Sequence, residues 1–230
     1  MCPGGAPDGD SGQSQDHVSG DSAITAAAKK KSLSASERET SRVKALRHRF
    51  RHRLRRWARP RLKFVDETGM RLNFTPRYGR AAPGGRVVEP VPRNSGQPLS
   101  LLATLSPQGL SAPMSIEGPV DATVFRLYME RVLGPTLSPG DIVVMDNLAV
   151  HKVAGIAERI QAYGARVEYL PPSSPDFNPI EQAWSKLKTA LRQRKARTRR
   201  TLERALRPLL PTISRADARA WFRHCGYSLH

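Results

Sequence analysis

Large apolar side chains are almost absent from residues 1–28, and beyond them they recur with two distinct periods. Val43, Leu46, Phe50, Leu54 and Trp57 follow one another at spacings of three and four with Arg and His between them, which predicts an amphipathic basic helix from about Ser36 to Trp57, closed by Pro60. Leu62, Phe64 and Val65 open a strand that reaches Asp66. A Pro- and Gly-rich loop from Thr75 to Pro98 leads to two further strands, Leu99–Leu105 and Ala112–Ile116, joined across Pro107, Gln108 and Gly109. Asp121 suits the cap of a helix whose apolar face is Val124, Phe125, Tyr128, Val132 and Leu133. Ile142 to Met145 is an unbroken apolar run, as expected of a strand buried on both faces. A helix over roughly 151–163, a strand at Val167–Leu170 and a long helix from Pro179 complete the pattern.

The order of three strands, helix, strand, helix, strand, helix predicts an α/β fold. Its mixed five-stranded sheet begins with antiparallel hairpins and gains its later strands through helical crossovers. Ligands of such sheets collect at strand ends near a change in strand order, and Asp66 and Asp146 are expected at two such ends. The expected organisation is a disordered stub over 1–28, a basic helical linker over 29–61, and a catalytic domain over 62–230 that ends in basic helices.

Charge sharpens this division. The formal net charge is +18, which points to a polyanionic partner. Residues 1–28 hold four Asp and no Lys or Arg; 29–63 hold fifteen basic and two acidic residues; 64–180 hold ten and eleven; 181–230 hold thirteen and three. The balanced centre carries the apolar runs, and the basic flanks suit phosphate contacts. No apolar run approaches the ~20 residues of a spanning helix, and the start lacks a signal-peptide pattern. Cys2 and Cys225 stand alone at opposite ends, without zinc-site or disulfide spacing. A cytoplasmic, nucleoid-associated protein is the expectation.

Three acids carry the chemistry: Asp66 in FVDETG, Asp146 in DIVVMDN and Glu181 in PPSSPDFNPIEQAW, with 34 residues between the last two. Each has a local alternative. Asp66 suits a turn before Gly69, Asp146 suits a helix cap, and Glu181 suits a capping box with Asn178 as N-cap and Pro179 at the first helical position. As a set they suit a hard cation, since Mg²⁺ is held by a few carboxylates together with substrate phosphate and water. Two ions ~3.5–4 Å apart clamp the attacking and leaving oxygens of an in-line displacement. Bringing the three carboxylates to one point on a sheet edge would create such a site.

The stretches FVDETG, DIVVMDNLAVHK and LPPSSPDFNPIEQAWSKLK, with their spacing, resemble the three catalytic blocks of the mariner-type DDE transposases, in particular those of bacterial insertion sequences. The likeness runs from about Lys30 to Tyr227. It implies an RNase H-like fold, Asp66, Asp146 and Glu181 as metal-binding catalytic triad, and two Mg²⁺ ions replaceable by Mn²⁺. It implies DNA cleavage and strand transfer in DNA transposition, with transposon ends and target DNA as partners and a homodimer as the active form. Asp176 matches a motif residue outside the triad. Family members place helix-turn-helix modules ahead of the catalytic domain, and none is visible here. The expectation is therefore a truncated or frameshifted product, or the catalytic half of an enzyme with a separately encoded helix-turn-helix partner. The alternatives are a structure-selective RNase H-like nuclease and a catalytically idle DNA-binding remnant.

Helical geometry adds a stripe beside the apolar face of Ile180, Trp184, Leu187 and Leu191: Glu181, Ser185, Lys188 and Arg192. Lys188 and Arg192, with Arg194 and Lys195 in the basic run that follows, are the candidate DNA contacts, against the plainer reading of a solvated face. His151 could approach the site, but a hydrogen-bonded or surface role is the plainer expectation. Trp184 is expected to pack in the core.

Overall fold

The five strands are β1 (Leu62–Met70), β2 (Leu99–Ser106), β3 (Gly109–Glu117), β4 (Ile142–Met145) and β5 (Arg166–Tyr169), in the order β3-β2-β1-β4-β5. β2 is antiparallel to both β1 and β3, whereas β4 is parallel to both β1 and β5. This is the mixed sheet anticipated from the strand–helix order. The computed structural model describes residues 36–54, 57 and 61–227, which lie within one unit, Ala35–His230. The expectations for 1–28 and Cys2 fall outside the described residues.

Period-two alternation divides the sheet's side chains between two helical layers. On one face Phe64, Leu101 and Val144 pack with residues of α1 (Ser41–Leu54), α4 (Ile180–Arg194), α5 (Arg199–Leu206) and α6 (Arg215–His224). On the other, Val65, Leu102 and Val143 pack with α2 (Ala122–Tyr128) and α3 (Ile156–Ala162). β4 is buried along its whole length, as its apolar run requires.

Two sequence expectations are adjusted. The helix expected over 151–163 divides into a 3-10 turn, Ala149–Lys152, and α3, because Gly155 takes a φ of +86° that interrupts the helical path. The segment expected as a linker also does more than span a gap. Phe50, Leu54 and Trp57 enter the same core cluster as β1 and α4, and Arg47 is 6% exposed while Leu46 is only half-buried. Asp121 caps α2 as expected, accepting from the Val124 amide at 2.8 Å.

Candidate active site

Strand alternation sends neighbouring acids of β1 to opposite faces. Asp66 shares the α4 side with Phe64, and Glu67 shares the α2/α3 side with Val65. Asp66 is not at a strand end or in a turn: β1 continues to Met70 along β2. Its parallel pairing with β4 ends at Phe64↔Val144, however, so Asp66 stands where β1 and β4 part. Only 7% exposed, its Oδ2 accepts from Asn178 Nδ2 and Trp184 Nε1, both at 3.2 Å, and its Oδ1 accepts from the Glu67 amide at 2.9 Å. Burial, followed by repulsion from Glu181, Glu67 and Asp146, raises its pKa to about 8.

Asp146 directly follows β4. Its Oδ1 accepts from the Leu148 amide at 3.0 Å, a bond within the turn before the 3-10 segment; Leu148 holds the N-cap position there without a side-chain cap bond, so the capping alternative is not met. The same oxygen lies 2.7 Å from Nδ1 of His151, but off the direction of a ring N–H bond, making this an ion-pair contact. His151 is fully buried, and its Nε2 is 3.1 Å from Glu67 Oε2. Burial alone would lower the imidazole pKa; Asp146 and Glu67 overcome this and raise it to about 9.

Glu181 is the acid best suited to a capping box, and the structure does not form one. Pro179 occupies the N-cap position without a side-chain cap bond, and the Asn178 amide is committed to Asp66. The Glu181 carboxyl makes no hydrogen bond among the described residues. Its pKa is raised by burial, pulled back by Lys188, and raised again by Asp146 and Glu67.

Glu181 also lines two clefts. One, of about 440 Å³, follows the expected stripe of Ser185, Lys188 and Arg192 and is lined also by Arg77 and Tyr78. The other, of about 340 Å³, is lined by Asp146, Asn147, Leu148, Ser173 and Asn178. Lys188 has its pKa lowered by burial and raised by Glu181.

Residues 61–203, which include all three acids, match the family described as DDE superfamily endonuclease. The chain belongs to this family.

Solved structures similar to this DDE-family chain include the Mos1 strand transfer complex, with a TM-score of 0.69, 16% identity, and coverage of 88% of this chain and 63% of that one. The pre-cleavage Mos1 transpososome gives 0.68 and 15%, covering 88% and 64%. The catalytic domain of Mos1 mariner transposase gives 0.56 and 14%, covering 84% and 90%. At these identities the likeness establishes the RNase H-like fold. The chain spans less than two thirds of the length of the first two. No curated protein sequence matches it.

Oxygen donors of Asp66, Asp146 and Glu181 fit a hard divalent cation in kind, and the mutual repulsion that raises the Asp66 pKa is what such a cation would relieve. Among the described residues, however, no three His, Cys, Asp or Glu side chains converge into a ready-made cage. The expected meeting at one point is thus only approached. Asp66 is drawn towards Asn178 and Trp184, and Asp146 towards Leu148 and His151.

The candidate DNA contacts separate. Lys188 and Arg192 line the larger cleft, with the Arg192 guanidinium 4.9 Å from the Phe74 ring centroid. Arg194 is exposed. Lys195 is bridged to Glu89 at 3.0 Å, which Arg197 also reaches at 3.3 Å. Trp184 packs in the core as expected, at 2% exposure, while its indole N–H also serves Asp66. Sequence reasoning missed Arg47, which donates to both Asp176 carboxylate oxygens at 3.0 and 2.6 Å and to Ser174 Oγ at 2.6 Å. The basic helix and the motif Asp were visible separately, but nothing local joins them.

Proposed function

We propose that this chain is a transposase catalytic domain that cleaves DNA and transfers the resulting 3′ end to target DNA with divalent metal. The observation that carries the reading is Glu181: it makes no capping bond, feels the charges of both Lys188 and Asp146, and lines both clefts. Family membership supports the nuclease chemistry. The similar Mos1 structures include a strand transfer complex and paired end complexes with Mn and with Mg.

On this reading Asp66, Asp146 and Glu181 hold two Mg²⁺ ions, or Mn²⁺ in their place. When bound, these ions supply Lewis-acid activation of the attacking oxygen and neutralise charge on the phosphate. The chain's own residues position the reaction. Asn178 and Trp184 hold Oδ2 of the Asp66 carboxylate from the α4 side. Lys188 places a cation beside Glu181, where it can hold a phosphate oxygen, and Arg192 extends that grip along the larger cleft. Processing two ends together calls for a homodimer, and recognition of terminal repeats calls for a helix-turn-helix module.

Nicking of supercoiled plasmid and joining of a 3′-hydroxyl duplex end, each with and without Mg²⁺, test the proposal. Both activities should require the metal and disappear in Asp146→Asn. Nicking without joining would favour the structure-selective nuclease, and DNA binding with neither activity would favour the idle remnant.

A further inference from the structure

We infer that His151 is a positioning residue for Asp146, an inference that rests on the metal-site reading above. His151 lies in the turn after β4, only five residues beyond Asp146, yet it is fully buried. Its ring packs on Phe125 with centroids 4.5 Å apart, and its carbonyl accepts from the Tyr169 hydroxyl at 3.0 Å, so backbone and ring are both held. Nδ1 lies 2.7 Å from Asp146 Oδ1, and Nε2 lies 3.1 Å from Glu67 Oε2. One imidazole therefore ties the acid after β4 to Glu67 of β1, the strand that carries Asp66 on its other face.

The contact acts on one oxygen of Asp146. Oδ1 is taken by His151 and the Leu148 amide, whereas Oδ2 accepts no hydrogen bond among the described residues. Fixing Oδ1 on two sides sets the rotation of the carboxylate and leaves Oδ2 as the oxygen available to a cation. A buried polar side chain between two carboxylates is costly to place, and core packing alone does not require it. Loss of a partner that orients a metal ligand commonly costs about 10- to 100-fold in metal affinity.

Mn²⁺ titration of the full chain, read by the loss of the free-ion electron paramagnetic resonance signal, tests this, with metal-free thermal unfolding as the check on folding. An Asn amide can occupy the place of Nδ1, and a Gln amide that of Nε2. His151→Gln and His151→Ala should weaken Mn²⁺ affinity about 10-fold or more, while His151→Asn should stay within about threefold of wild type. Wild-type affinity in folded His151→Gln, or better rescue by Gln than by Asn, would overturn the inference. Should the His151 variants fail to fold, Glu67→Gln decides. It removes the charge that anchors the far nitrogen and should weaken Mn²⁺ binding at least about threefold, and wild-type affinity there would overturn the inference. Asp146→Asn separates the two levels: if it binds Mn²⁺ as wild type does, the metal-site reading itself fails, and the positioning role with it.

Discussion

The two ends of α4 employ basic side chains in opposite ways. Before its first turn, the Arg47 side chain is 7% exposed and committed to Asp176 and Ser174, with its guanidinium 4.4 Å from the Phe177 ring centroid. Along its second half, Lys188 and Arg192 line an open cleft and form no salt bridge among the described residues. Farther on, Lys195 is bridged again, to Glu89. Net charge is therefore a poor guide to which cations can meet a polyanion. Arg47 locks the loop that leads into Glu181, and Lys188 and Arg192 leave their charge directed at whatever enters beside it.

The strongest test of this division removes the acids between the two ends. Asp66→Asn or Asp146→Asn should cut Mg²⁺-dependent nicking on the order of 10³-fold, roughly 4 kcal/mol of barrier, while DNA affinity in a gel-shift titration stays near wild type. A parallel fall in affinity would mean that these acids shape the binding surface.

Next in size is the locked end. Arg47→Met should lower unfolding free energy in urea by about 2 kcal/mol, less than the ~3–5 kcal/mol for breaking a fully buried pair, because the Asp176 side chain is 37% exposed. The open end should behave inversely. Lys188→Ala combined with Arg192→Ala should change stability by less than ~1 kcal/mol. It should weaken binding to all duplexes and reduce the slope of log affinity against log salt by up to ~2, at about 0.9 for each phosphate that is no longer neutralised. An unchanged salt slope in the folded double variant would return these side chains to bulk solvent. Lys195→Ala should alter that slope less than either cleft residue, since Glu89 already holds its ammonium.

A last effect is on pH. Burial and neighbouring acids raise the Asp66 pKa from its ordinary 3.8 to about 8, so the folded chain holds this proton more tightly than the unfolded one. Its contribution to stability is full below pH 3.8 and is lost as pH rises through about 8. His151, raised from 6.5 to about 9, loses its contribution in the same direction over its own higher window. Metal-free protein should therefore melt at progressively lower temperature from about pH 5 to about 8.5, Asp66→Asn should flatten that decline, and Mg²⁺ should raise the melting temperature most at the alkaline end.

Much of this architecture was legible in the sequence because it follows from local periodicity. The apolar run of β4, the alternation of β1 and the stripe from Glu181 to Arg192 are each set within a few residues. Partnerships across the chain were not legible. Arg47 meets Asp176 across 129 positions, and Asn178 meets Asp66 across 112. The latter contact explains why a strong capping pattern misleads: the Asn178 amide is used as a donor to a buried carboxylate instead of leaving its oxygen to accept a helix N–H. The position of Asp66 was hidden for a related reason. A strand's end in one pairing need not be its end in another, and β1 leaves β4 while remaining paired with β2.

Glu181→Gln tests the central claim most directly, because Gln keeps the size of Glu but removes the negative charge of the proposed metal ligand. Mg²⁺-dependent nicking of supercoiled plasmid should be measured beside metal-free thermal unfolding of the same preparation. The account predicts nicking lost on the order of 10³-fold with the unfolding temperature unchanged or slightly raised, since a repelling charge has gone. Wild-type nicking by the folded variant would contradict it and return Glu181 to an ordinary place in the first turn of a helix.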